Sequence, residues 1–187
     1  DFGYPRNDAL LQAAAQRCWF NALPLSELEQ LRASKKLIVF MPTYRDNGQN
    51  EHPINWPELQ LFLEFHNAVF VMKTHPFLAP FDELHQQDGC DRIFHYPGRF
   101  NVYPWLADAD LLITDYSSVA FDFLCCNKPV LHFMHDIEQY AKVRGQFAIA
   151  KDDFIAGSVA ETFAQLLDEM ALDLMSDRFA AKRQALQ

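Results

Sequence analysis

A chain of 187 residues, half of them hydrophobic and 17 of them phenylalanine, has the material for one domain with a substantial core and is not a disordered chain. Its formal charge of -9 argues against broad nucleic-acid binding, which needs a basic surface, but leaves room for a phosphate ligand held by backbone donors and a few local cations. No apolar run approaches the ~20 residues of a membrane span, and no signal-peptide pattern opens the chain, which begins at Asp1.

The turn-rich opening, Asp1 to Asp8, offers Asn7 or Asp8 as the cap of a helix reaching about Phe20. A second helix is predicted over Leu25 to Ala33, and the apolar run Lys36 to Met41, closed by Pro42, reads as a buried strand. The polar loop Thr43 to Pro57 carries Arg45, Asp46, His52 and Trp56, and loops of such length in small domains are commonly functional. Helix Glu58 to Asn67 leads to strand Ala68 to Lys73, which stops at Thr74-His75-Pro76. A third strand near Asp91 to His95 ends at Tyr96-Pro97-Gly98, a short helix covers Val102 to Ala107, and the fourth strand is Leu111 to Thr114. Helix Ser118 to Cys126 and the turn Asn127-Lys128-Pro129 precede a fifth strand, Val130 to Phe133. Tyr140 and Arg144-Gly145 fall in a loop, Ser158 to Met170 reads as a helix, and Asp177 to Leu186 as the last one. Cys18, Cys90, Cys125 and Cys126 lack metal-finger or CxxC spacing, Cys125 and Cys126 read as small core residues of a buried helix, and the protein reads as reduced and intracellular.

Short apolar strands alternating with helices predict an α/β class, a doubly wound Rossmann-like parallel sheet. Ligands of such sheets lie beyond the carboxyl ends of the strands. Thr43 to Asp46, Thr74 to Pro76, Tyr96 to Gly98, Thr114 to Ser118, and His135 with Asp136 all fall on that one rim. The elbow Thr114-Asp115-Tyr116-Ser117-Ser118 joins a strand to a helix, where unpaired N–H groups and the peptide dipoles favour an anion. Ser117 and Ser118 either ligate a phosphate or cap the helix. His75 is a cation, donor or base for the ligand, or a plain surface residue; Arg45 clamps phosphate or stays solvated. Asp115 is awkward for direct anion contact and suits orienting a hydroxyl, a His or the loop itself. Lys128 precedes its strand and belongs at the opposite edge, as a structural residue. His132, His135 and Asp136 have no further partner at ligand spacing, and there is no GxGxxG, GxxxxGK[ST] or GxSxG motif. No metal and no cofactor are therefore expected.

Taken in series, Gly3-Tyr4-Pro5-Arg6-Asn7-Asp8, Met41-Pro42-Thr43-Tyr44-Arg45-Asp46, Lys73-Thr74-His75-Pro76, Ala109-Asp110-Leu111-Leu112-Ile113-Thr114-Asp115-Tyr116-Ser117-Ser118, Lys128-Pro129-Val130 and Tyr140 with Arg144-Gly145 closely resemble the CDP-glycerol glycerophosphotransferases, the teichoic-acid primases and polymerases of bacteria. The resemblance spans Gly3 to about Phe163. It implies a GT-B fold of two Rossmann-like halves, of which residues 1–187 form the C-terminal, donor-binding one, with 1–35 as a helical lead-in from an N-terminal domain and 36–187 as the core. It further implies a site built from Thr43, Arg45, His75, Thr114, Asp115, Ser117, Ser118, Arg144 and Gly145. His75, Ser117 and Ser118 would meet the donor pyrophosphate, Asp115 would support the loop, and His75 is the candidate catalytic residue. The donor would be CDP-glycerol or a related CDP-polyol, the acceptor a polyol phosphate or lipid-linked saccharide, and the full-length protein cytoplasmic, peripheral at the inner face of the membrane.

The chain also departs from the family's pattern. The His-Gly-Thr-Pro motif, whose His serves the family as general base, is absent; Ala156-Gly157 stands for the family's Pro-Gly; and Lys73-Thr74 stands where many members carry an Arg. The basic, amphipathic surface expected for membrane attachment is lacking too. A chain without the base is expected to bind donor weakly and not turn it over alone. Two alternatives stand beside this reading: a GT-B glycosyltransferase domain using a nucleotide sugar, and a receiver-like phosphoacceptor domain built on Asp115.

Overall fold

Short apolar strands with both faces covered build the molecule around one sheet. A computed structural model describes residues 7–13, 16–17, 19–45, 51–75, 78, 81–144 and 155–186. Among them, β1 (Lys36–Met41), β2 (Ala68–Met72), β3 (His85–Gln86), β4 (Ile93–His95), β5 (Leu111–Thr114), β6 (Val130–Phe133) and β7 (Ser158–Ala160) stand in the order β3-β4-β2-β1-β5-β6-β7. Every neighbouring pair is parallel except β3 with β4. Without β3, the six parallel strands follow the Rossmann order, third-second-first-fourth-fifth-sixth of their own succession. The chain runs from β1 towards one edge, then crosses back to start β5 on β1's other side. The order therefore reverses between β1 and β5, which opens a crevice at their carboxyl ends.

Alternation along the strands sorts the core into two layers. Leu37, Val39, Val69, Val71, Leu112 and Val130 face α1 (Asp8–Leu11), α2 (Leu25–Arg32), α4 (Tyr103–Leu106) and α5 (Val119–Leu124). Ile38, Phe40, Phe70, Ile113, Leu131 and Phe133 face α3 (Trp56–Phe65) and α7 (Phe163–Met175). Burial of each such side chain contributes about 1.5–3 kcal/mol. Leu10, Leu23 and Leu28 belong to the first layer, so the described part of the lead-in packs onto the sheet. The indole N–H of Trp105 donates to the Leu23 carbonyl at 3.2 Å and secures it there.

Several elements differ from the sequence reading. The first helix ends at Leu11, because Gln12 turns extended. The helix read from Ser158 instead begins at Phe163. Thr162 accepts from the Gln165 N–H while the Gln165 side chain accepts from the Thr162 N–H, a capping box that frees Ser158–Ala160 to pair with β6. Tyr140 and Arg144 lie on a helix, α6 (Ile137–Arg144), and not in a loop; the Tyr140 N–H donates to the Asp136 carbonyl at 2.9 Å and closes its first turn. The final helix, α8, covers Ala180–Leu186. Gly157 lies so close to β6 that a Cβ there would sit 1.8 Å from the Val130 carbonyl oxygen. That contact supplies the physical reason for glycine in the Ala156-Gly157 pair.

Candidate functional site

The carboxyl ends of β1 and β5 are tied together at the crevice. Thr114 is fully buried and its hydroxyl donates to the Met41 carbonyl at 2.7 Å, pinning the end of β5 to the end of β1. Asp115, 2% exposed, receives the Thr43 N–H at 2.9 Å, the Thr43 hydroxyl at 2.6 Å, the Tyr116 N–H and one arm of Arg45 at 2.8 Å. A carboxylate with four donors is an orienting group, which agrees with the support role inferred from its awkward place beside an anion.

Arg45 is the largest departure from expectation at the rim. It is 5% exposed and spans two carboxylates: Nε donates to Asp136 at 2.7 Å, while Nη2 donates to Asp136 at 3.0 Å and to Asp115. Its Nη1 donates to the Thr43 carbonyl at 2.6 Å. The guanidinium carbon lies 5.2 Å from the Tyr116 ring centre and 5.0 Å from that of Tyr140, and those two rings stack at 4.1 Å. Burial alone would lower the Arg45 pKa; the hydrogen bonds and charges of Asp136 and Asp115 more than reverse it. The same pairing holds Asp136 below the ordinary carboxylate range although burial pushes it up. Burial and the Asp136 carboxylate raise the Tyr116 phenol, whose hydroxyl donates to Asp136 at 3.1 Å. Arg45 and Thr114 both face inward, engaged by the Asp115 and Asp136 carboxylates and by a strand-end carbonyl.

The elbow presents its serines outward. Ser118 is the exposed N-cap of α5 and makes no side-chain cap hydrogen bond. The Ser117 hydroxyl accepts from the Val119 N–H at 3.4 Å, a long contact. With only six residues, α5 has a short aligned dipole, so its attraction for an anion rests on these hydroxyls and on nearby cations. His75 is exposed beyond β2, its ring 5.0 Å from that of Tyr44, which follows β1. Since β1 alone separates β2 from β5, the strand ends that lead to His75 and to the serines stand about 10 Å apart along the rim. The side chain of Arg144 and the whole of Gly145 lie outside the described residues.

The fold also fixes the partners of the histidines and the lysine near the rim. His132 is fully buried: its Nε2 accepts the Ala156 N–H at 3.2 Å, so Nδ1 carries the proton and donates to the Asp115 carbonyl at 3.0 Å. Burial lowers its pKa and keeps it neutral. His52 and His135 meet ring to ring, Nδ1 to Nε2, at 3.2 Å. Burial, and then His135, lowers the His52 pKa to about 4. Lys73 is buried beside His75, donates to the Gly98 carbonyl at 2.7 Å, and is lowered by burial to about 8. Among the described residues no group of three or more His, Cys, Asp or Glu could hold a metal ion. Lys128 stands at the opposite edge, as expected, donating to the Ala107 and Ala109 carbonyls. The Asp115 carboxylate, on which the receiver-like alternative is built, is thus fully engaged by donors and remote from Lys128.

All 187 residues match the family described as CDP-glycerol:poly(glycerophosphate) glycerophosphotransferase. The chain belongs to this family. The teichoic acid poly(ribitol-phosphate) polymerase of Bacillus spizizenii is 31% identical over 88% of the chain and 27% of its own length. The ribitol-phosphate polymerase TarK of Staphylococcus aureus is 31% identical over 90% of the chain and 33% of its own. The chain therefore spans about a third or less of these two relatives. The solved structure of the wall teichoic acid polymerase TagF superposes with a TM-score of 0.75 at 24% identity, covering 100% of this chain and 46% of that one. A TagF variant soaked with CDPG gives 0.72 at 25% identity, covering 100% and 44%. A putative UDP-N-acetylglucosamine 2-epimerase from Listeria monocytogenes shares the fold alone, at 0.53, with 16% identity over 96% of this chain and 45% of its own. Among the described residues of this glycerophosphotransferase-family chain, no helix is long and apolar enough to cross a membrane.

Proposed function

We propose that this chain is the donor-binding half of a polyol-phosphate transferase that takes CDP-glycerol or a related CDP-polyol. The observation that carries the proposal is the buried Thr43–Asp115–Arg45–Asp136 network at the strand-order reversal, which fixes the serine elbow facing outward with His75 two strands away. Ser117 and Ser118 bind the donor pyrophosphate, His75 meets it from the β2 side as cation or proton donor, and Arg144-Gly145 lie near it. An acceptor hydroxyl, of a polyol phosphate or a lipid-linked saccharide, attacks the phosphorus that bears glycerol. The new P–O bond forms as the bond to CMP breaks, so catalysis consists chiefly of positioning and charge neutralisation. The base that takes the acceptor proton belongs to an N-terminal domain preceding the 1–35 lead-in. The chain alone binds donor without turning it over, and the complete protein works in the cytoplasm at the inner face of the membrane.

Calorimetric titration with CDP-glycerol, CDP-ribitol and UDP-sugars tests the reading. Binding of a CDP-polyol is expected, with Ser117→Ala/Ser118→Ala and His75→Ala each weakening it at least tenfold, about 1.4 kcal/mol, in a folded domain. Unchanged affinity in the serine variant makes the elbow a helix cap only. Binding restricted to UDP-sugars establishes the nucleotide-sugar alternative.

A further inference from the structure

Arg45 joins three segments that are distant in sequence. Its own loop follows β1, Asp115 belongs to the elbow after β5, and Asp136 directly precedes α6. Tyr116 from the elbow and Tyr140 from α6 stack on each other, each about 5 Å from the guanidinium carbon. Tyr116 adds a hydrogen bond to Asp136, and His132 ties the Asp115 carbonyl to Ala156 before β7. The elbow is thus held from below by Thr43 and Arg45, from the side by α6, and from behind by β6. Only a planar fork with several N–H groups can satisfy two carboxylates at once in this geometry.

We infer that Arg45 is the positioning residue of the donor loop: without touching the donor, it holds the Thr114–Ser118 elbow and the start of α6 in register. The link from this register to donor affinity rests on the function proposed above; the mechanical part stands on the described contacts alone. A lysine at position 45 keeps the charge but reaches one carboxylate, so the register is half kept. A methionine leaves two buried carboxylates facing each other beneath the elbow.

Amide hydrogen exchange on the whole chain reads the mechanical part directly. In Arg45→Met, exchange of the Tyr116 and Tyr140 amides, hydrogen-bonded to the Asp115 carboxylate and the Asp136 carbonyl, is expected to quicken at least tenfold while Leu37 to Phe40 in β1 stays protected. Arg45→Lys should fall between and keeps the test open should the methionine variant fail to fold. Arg178→Met, which breaks an ion-paired arginine at Glu169 and Asp173 away from the rim, should leave both amides unchanged. CDP-glycerol titration well below each variant's melting temperature then separates positioning from mere stability. Dissociation constants should rise at least tenfold for Arg45→Met, less for Arg45→Lys, and not at all for Arg178→Met. Unaltered exchange at both amides overturns the inference, as does unaltered affinity in Arg45→Met when the parent binds. A parent that binds neither CDP-glycerol nor CDP-ribitol refutes the donor reading instead, and the exchange result then decides the register on its own.

Discussion

Replacing His132 by Phe keeps the ring's bulk and removes its hydrogen bonds to Asp115 and Ala156. The Asp115 carbonyl and the Ala156 N–H would then be stranded inside the protein, where residues 115 and 156 are 2% and 1% exposed. Each unsatisfied buried group costs about 1–3 kcal/mol, so the variant should lose about 2–6 kcal/mol. With an m-value of about 2 kcal/mol per molar urea, the unfolding midpoint should fall by about 1–3 M at unchanged slope. Two further variants apportion the loss. In His132→Asn the amide nitrogen can take the place of Nδ1 and restore the Asp115 bond; in His132→Gln the amide oxygen can take the place of Nε2 and accept from Ala156. Each should recover roughly half. The nitrogen spectrum of the parent should show the proton on Nδ1. A loss below about 0.5 kcal/mol in the Phe variant, within the range of an ordinary surface change, or a proton on Nε2, would refute the argument.

Gly157→Ala should destabilise by about 3 kcal/mol, because the added methyl meets a strand carbonyl and not a flexible side chain; melting within about 2 °C of the parent would contradict the close approach. The His52 ring should titrate near pH 4 in proton NMR, below the 6.5 of an unperturbed imidazole, and a midpoint near 6.5 would refute its buried pairing with His135. The sign for stability follows from that lowered value. The unfolded chain takes up the proton first, so the stability present above pH 6.5 is lost as pH falls towards 4, by about 2 kcal/mol at pH 5 from His52 alone. His132 and His135 act in the same direction.

Much of the architecture is local and could be read directly. β1, β5 and β6 are apolar runs closed by turn residues, and their boundaries match the structure because buried parallel strands need such runs. The Thr162 to Gln165 capping box was equally present in the chain, yet the apolar residues around it drew the helix back over Ser158 to Ala160, which pair with β6 instead. β3 has two residues and no pattern of its own; only its pairing with β4 makes it a strand. α6 ends at Arg144 beside Gly145, a pair that reads as a loop, although Tyr140 closes the helix's first turn onto Asp136.

The sequence by itself determined the fold class, the rim and the family, since apolar periodicity and short motifs are properties of neighbouring residues. Which rim residues stay exposed was decided by tertiary structure alone. Arg45 and Thr114 are polar, stand at strand ends and look available; the fold turns them inward, because Asp115 and Asp136 arrive from 70 and 91 residues away and a buried carboxylate must be met by donors. Ser117, Ser118 and His75 remain outward on the same rim. Residues so far apart become partners only when strand order brings β1, β5 and β6 side by side, and strand order is written in no local stretch of the chain.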